Sequence, residues 1–269
     1  MATVNSEQRC AVVTGASSGI GQATARTLRA AGWQVIAVAR RADRLAELAE
    51  QTGAIAHAAD LTSDSDVSAL VDRVAELGTV HALVHVAGGA RGTDRVEDGS
   101  PEDWQWMFQV NVLSGQRLVA ALLPLLREGA AQSGHADTLF VTSTAAQLAY
   151  PGGGGYNAAK AGESMLVNAL RLELNGEPIR VMEVAPGMVH TPEFTLNRLG
   201  GDQDAADRVY DGVAEPLVAD DVADVIRYAL GTPRHVNLDQ ITMRPVAQSA
   251  QHLVARQSLA VRTANASEN

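Results

Sequence analysis

Cys10-Ala11-Val12-Val13-Thr14-Gly15-Ala16-Ser17-Ser18-Gly19-Ile20-Gly21 is the stretch on which the reading of the fold turns. Its first four residues are small or apolar and read as a buried strand. A helix is expected from Gly19 to about Ala31. Between them lies a turn carrying Gly15, with Gly19 and Gly21 leading into the helix. Such a turn lets backbone approach an anion closely, and the helix start offers it free N–H groups and a positive dipole end. In isolation a glycine turn is only a turn. At a strand-to-helix crossover it points to a dinucleotide phosphate.

The alternation continues outward. Strands are expected over 35–39, 55–58, 80–86, 138–142, 179–184 and 240–243, and helices over 42–50, 67–77, 156–174 and 220–230. Thr62 or Ser63 can cap the third helix. Ser100-Pro101-Glu102-Asp103 opens a long one, with a cap residue, a first-turn proline and carboxylates at the positive dipole end. Strands alternating with helices predict an α/β, doubly wound, Rossmann-type parallel sheet with helices on both faces and ligands at the C-terminal strand ends. One domain is expected over 1–250, with a substrate lid at about 190–215, followed by a tail over 251–269 that is small and polar from Gln257 onward.

Composition excludes whole classes. With 269 residues, 46% hydrophobic and 19% charged, the chain is neither disordered nor fibrous. A net charge of −10 argues against nucleic acid as a partner. Cys10 is the lone cysteine, so no internal disulfide forms and a reducing, cytoplasmic setting is expected. Neither a signal peptide nor a membrane span is expected. The seven histidines have no metal-ligand spacing, so no metal is expected. Ser143 lacks the Gly-x-Ser-x-Gly surroundings of a hydrolase nucleophile.

The second strand ends at Ala39, where an acidic residue for ribose hydroxyls often stands in such folds. Arg40 and Arg41 follow instead. Forked guanidiniums suit a phosphate dianion, so Arg40, helped by Arg41, reads as a 2′-phosphate site. The plainer alternative pairs them with Asp43 or Glu47 on the helix they open. Tyr156 and Lys160 are four apart and share a helix face. A nearby ammonium lowers a phenol's pKa and equips it for acid–base work. Asn111 sits inside the long helix, where asparagine is unfavourable.

These residues, with Asp60-Leu61-Thr62, Ala87-Gly88 and Pro186-Gly187-x-Val189-x-Thr191, closely resemble the short-chain dehydrogenase/reductase family in order and spacing. The resemblance implies roles. Tyr156 would be the general acid, Ser143 would orient the substrate oxygen, and Lys160 would lower the tyrosine pKa and hold the nicotinamide ribose. Asn111 would anchor a relay water. Gly15, Ser17, Ser18, Gly19, Ile20 and Gly21 would hold the pyrophosphate. Asp60 and Leu61 would flank adenine, Ala87 and Gly88 would border the adenosine, and Pro186, Gly187, Val189 and Thr191 would fix the nicotinamide. Two departures stand out. His85-Val86 replaces a frequent asparagine pair, which should alter the bonds steadying that strand end. The Gly152–Gly155 run implies either a floppy loop or a close approach of ligand.

The C-terminal third, with Thr191-Pro192-Glu193-Phe194, Arg198 and Tyr210, is similar to the NADP-dependent 3-hydroxy acid (serine-type) dehydrogenases of that family. This implies NADP(H) as cofactor and a small 3-hydroxy acid or keto acid as substrate. Arg198 is then the expected carboxylate clamp, with Arg91 and Arg95 second choices. The alternative for Arg198 is a tie to the acidic turn of Asp202 and Asp204. The rival functions are a reductase of bulkier apolar ketones or aldehydes and a non-catalytic NADP-binding sensor. A homotetramer is implied, built through the helices that begin near Pro101 and Tyr156.

Overall fold

The computed structural model describes residues 8–261. Seven parallel strands form one sheet in the order β3-β2-β1-β4-β5-β6-β9. They are β1 Cys10–Thr14, β2 Gln34–Ala39, β3 Ile55–Ala58, β4 Ala82–His85, β5 Ala136–Val141, β6 Ile179–Pro186 and β9 Gln240–Met243. Strands β1, β2, β4, β5 and β6 are buried almost throughout because both faces are covered, whereas the edge strand β3 alternates half-buried and exposed residues. The period of two divides them. Val12, Ile36, Leu83, Phe140 and Val181 face one helical layer, while Val13, Val35, Val84, Leu139 and Met182 face the other. The first layer is α3 (Asp64–Leu77), α5 (Ser114–Ser133) and α6 (Gly154–Glu173); the second is α1 (Gly19–Ala30), α2 (Ala42–Thr52) and α9 (Ala219–Gly231).

Local signals act where the sequence places them. Ser63 caps α3 by accepting from Asp66 N, and Ser100 caps α4 (Pro101–Phe108) by accepting from Asp103 N. The expected long helix is continuous in direction but not in pitch. Between α4 and α5 it widens into a π-turn over Gln109–Leu113, where Ser114 N bonds Gln109 O.

The chain order reverses between β1 and β4, and the crevice opens there at the C-terminal strand ends. Short elements roof it: β7 (Val189–His190) pairs with β8 (Leu217–Val218), and α7 (Phe194–Arg198) and α8 (Gln203–Tyr210) lie between them. The expected boundary at 250 falls inside a hairpin of β10 (Gln248–Ala250) and β11 (Leu253–Val254). Residues 251–256 are therefore part of the fold: Ala255 N bonds Ala247 O, and Arg256 donates to Asp211 O. The end of the expected tail, 262–269, lies outside the described residues. Among the described residues no helix is long and apolar enough to cross a membrane, and no cluster of metal-ligating side chains occurs.

Candidate active site

The crevice floor is made of backbone. Gly15 has φ +65, and a Cβ there would lie 3.1 Å from Ala87 N. A Cβ on Gly21 would sit 2.3 Å from Gly15 O, so the turn folds directly onto the first turn of α1. Thr14 fastens this floor to β4. Its hydroxyl oxygen accepts from Val86 N and Ala87 N, each at 3.0 Å, and donates to His85 Nδ1 at 3.2 Å. His85 is fully buried against Phe140, and burial, with the Lys160 charge, pushes its pKa down to about 3. It stays neutral and steadies the strand end through its Nδ1 bond, while its Nε2 is buried without a partner among the described residues. The altered bonding expected from His85-Val86 thus runs through Thr14.

Of the two arginines after β2, Arg41 is engaged by a partner the sequence did not suggest. Its fork donates to both carboxylate oxygens of Glu193, at 2.8 and 2.7 Å, and to Ser17 Oγ. Arg40 lines the cleft, and among the described residues it makes no side-chain hydrogen bond or ion pair. Neither pairs with Asp43 or Glu47; Arg44 takes Glu47. Asp60 borders the cleft with Oδ1 accepting from Thr62 N and Oγ1.

At the other end, Ser143 leaves β5 in extended conformation and caps a single 3₁₀ turn, Thr144–Ala146, by accepting from Ala145 N. Asn157 Nδ2 donates to Ala145 O at 2.7 Å and pins that turn to α6. Tyr156, on the same helix, is almost fully buried. Burial raises its pKa, while the Lys160 charge and the Ser143 hydroxyl pull it down; burial prevails, so the phenol keeps its proton at neutral pH. Lys160 is buried too. Burial disfavours its charge, but Glu163, Tyr156 and Glu183 outweigh that and hold it protonated. Asn111 lies in the π-turn, fully buried. Its side chain exchanges two bonds with the Gly89 backbone and donates to Met107 O. Gly88 leaves the gap beside it: a Cβ there would touch Asn111 Oδ1 at 2.5 Å and Lys160 Nζ at 3.4 Å.

The glycine turn, Arg40, Arg41, Ser143, Tyr156 and Lys160 thus line one continuous cleft of about 820 Å³. A family model for short chain dehydrogenases matches residues 9–198. The chain belongs to the short chain dehydrogenase family. An uncharacterized oxidoreductase of Mycobacterium tuberculosis is 51% identical over 93% of this chain and 96% of its own length. The serine 3-dehydrogenase of Agrobacterium fabrum is 39% identical over 88% and 94%. The solved closed form of a serine dehydrogenase complexed with NADP⁺ superimposes with a TM-score of 0.84 at 31% identity, covering 94% of this chain and 99% of that one.

Over the cleft, residues named from the sequence, Arg198 and Tyr210, are joined by Tyr150 and Gln251, which were not. Arg198 Nε donates to Gly92 O, one terminal nitrogen to Tyr150 Oη at 2.8 Å, and the other to Gly152 O. Its guanidinium carbon lies 5.5 Å from the Tyr156 ring centre. The suggested tie to Asp202 and Asp204 does not form; Asp202 caps α8 instead. Arg91 and Arg95 pair with Asp103 and Glu97. Tyr210 Oη donates to Val189 O and bonds Thr195, and Gln251 Nε2 reaches Thr144 Oγ1 at 2.7 Å. Of the glycine run, Gly152 lines the cleft, and the run is also packed tightly by the protein itself. A Cβ on Gly155 would meet Met107 at 2.4 Å, and one on Gly152 would meet Thr93 O at 2.5 Å, so the protein's own packing demands both. Glu193, Tyr150 and Gln251 had no readable signal, because each partner lies far off in sequence.

Proposed function

We propose that the protein interconverts a carbonyl and a secondary alcohol by hydride transfer with NADP(H), acting on a small 3-hydroxy acid, its 3-keto form or a related carbonyl compound. The observation that carries this reading is Arg198, set over the ring of a buried, protonated Tyr156 that stands beside Ser143. A carbonyl oxygen at the tyrosine hydroxyl leaves an acid group two or three atoms away within reach of the guanidinium.

The residues fit the cofactor. Gly15, Gly19 and Gly21 present bare backbone along the cleft, and Thr191 Oγ1, beside Gly19, is buried without a partner among the described residues. Gly15, Ser17, Ser18, Gly19, Ile20 and Gly21 would hold the pyrophosphate, and Arg40 with Arg41 the 2′-phosphate. Asp60 and Leu61 would flank adenine, with Ala87 and Gly88 along the floor. Pro186, Gly187, Val189 and Thr191 would bound the nicotinamide. When bound, that ring supplies or accepts the hydride.

In reduction, Tyr156 donates its proton to the carbonyl oxygen while Ser143 hydrogen-bonds the same oxygen. Lys160 stabilises the phenolate left behind. Asn111 holds the loop at Gly89 against the back of the site and would anchor the relay water. In the reverse direction the phenolate takes the alcohol proton. Cytoplasmic residence and a homotetramer belong to this reading. Phe108, Leu113 and Met165, exposed on the helices named for assembly, support the latter.

The test is a panel of 3-hydroxy acids, small keto compounds and bulky apolar ketones with NADPH and NADH, scored by nicotinamide absorbance for wild type and Tyr156→Phe. The acids should be the best substrates, NADPH the better cofactor, and the variant should lose about 10²–10⁴ in kcat. Turnover restricted to apolar ketones would remove the substrate class, and an undiminished variant would remove the mechanism.

A further inference from the structure

One turn beyond Lys160 on α6 stands Glu163, wholly shielded from solvent. Its Oε2 accepts from Lys160 Nζ at 2.7 Å, and Nζ also donates to Val141 O at 3.2 Å. Its Oε1 has no partner among the described residues. A second buried carboxylate, Glu183 on β6, lies behind them, but it is satisfied by the hydroxyls of Thr142 and Ser164. The wall behind the tyrosine therefore holds two carboxylates against one ammonium, and the under-bonded carboxylate is the one touching the ammonium. An orphaned carboxylate oxygen in a core is costly, and a merely structural site would favour an apolar side chain there.

We infer that Glu163 is a positioning residue of the proton-transfer site: its carboxylate, bonded to Lys160 Nζ, draws the ammonium's field away from the Tyr156 hydroxyl. This rests on the proposed role of Tyr156 as the acid.

The charges around the pair support that direction. Tyr156 faces Lys160, Ser143, Tyr150, Arg198 and, beyond the lysine, Glu163. Lys160 faces Glu163, Glu183, Tyr156 and, from β4, the neutral His85. Of these, Glu163 is the group whose charge changes near neutrality. Burial and Glu183 push its pKa up, Lys160 pulls it down, and the balance is about 7. Above that pH the carboxylate cancels much of the lysine's pull on the tyrosine; below it, the lysine acts on the tyrosine alone.

The experiment compares pH profiles of kcat/KM in both reaction directions for wild type, Glu163→Gln, Glu163→Met and Glu163→Asp, with NADPH fluorescence titration and thermal melting as checks on folding. Loss of the charge in the Gln and Met variants should move the tyrosine limb to lower pH by about one unit or more. Alcohol oxidation then persists at lower pH, reduction fades earlier as pH rises, and profiles converge with wild type below neutrality. Glu163→Asp, which keeps the charge, should leave the limb near its wild-type position. A purely structural Glu163 would lower melting temperature or plateau rate and leave the limb fixed. An unmoved limb, or a shift to higher pH, in whichever uncharged variant folds overturns the inference. If Tyr156→Phe proves fully active, the catalytic reading fails instead, and the two failures are told apart.

Discussion

The floor of the cleft and its roof are held by different kinds of bond. The floor is backbone packed on backbone and pinned by buried side chains: the Gly15–Gly21 turn, the Thr14 hydroxyl clamping Val86 and Ala87, and a neutral histidine sealed beneath. The roof is tied by side chains that reach solvent: the Arg41–Glu193 pair, Arg198 across two loops, and Gln251 on Thr144. An exposed ion pair such as Arg41–Glu193, with side chains 42% and 29% accessible, contributes roughly 1 kcal/mol or less. The floor is thus fixed before any ligand arrives, while the roof can part by breaking a handful of weak bonds. The molecule puts buried packing beneath the glycine turn and solvent-reaching side-chain ties over the mouth of the cleft.

The contrast is broken most directly with glycine. Gly21→Ala places a methyl against Gly15 O and Thr14 O, 2.3 and 2.7 Å away. It should destabilise the fold by about 3 kcal/mol in denaturant titration, because backbone on both sides cannot yield. Gly201→Ala in the roof meets nothing within 4 Å and suffers only its left-handed φ of +92; about 1 kcal/mol is expected. Equal losses would erase the distinction between the two regions.

Next in size is the roof's claim on substrate. Arg198→Ala should reduce transition-state stabilisation for a 3-hydroxy acid by roughly 1.5–3 kcal/mol in kcat/KM and spare its methyl ester. If both compounds suffer alike, the arginine serves only to hold Gly92, Tyr150 and Gly152 together.

The smallest effect sharpens the boundary where roof and floor meet. Arg40→Ala should weaken NADPH binding about tenfold and leave NADH nearly untouched, because a charge-assisted bond to the 2′-phosphate is lost. Arg41→Ala should weaken NADPH less, since Glu193 already occupies that fork. Equilibrium fluorescence titration with both cofactors decides the order.

The floor was also the more legible region. Strands at Ile55–Ala58 and Gln240–Met243 and the start of α1 at Gly19 fall where the sequence places them, since local patterning and turn chemistry determine them. The cleft residues from Gly15 to Lys160 could be named because each sits at a strand end or on one helix face. What escaped depends on distant pairing. The Arg41–Glu193 contact spans 152 residues and Arg198–Tyr150 spans 48. The β10–β11 hairpin is too short to leave an alternation. The spacing of Lys160 and Glu163 was visible, but not that both would be buried, because that depends on the layer packed over α6. Burial likewise reversed the expected net effect on Tyr156: the lysine lowers its pKa, and desolvation outweighs it.

The π-turn at Gln109–Leu113 makes the long helix a gauge of chain length. A wide turn is a helix with one residue in surplus. The surplus is taken up inside the wide turn, so the helices on either side keep their phase and Trp104 and Met107 stay seated against Gly155. Deleting one of those five residues would restore ordinary pitch and remove the turn from which Asn111 meets Gly89. The downstream half, from Ser114 on, would keep its place against β4 and β5. Insertions and deletions elsewhere on the surface trade one loop for another, whereas here a single codon decides whether Asn111 ties the long helix to the Gly89 loop.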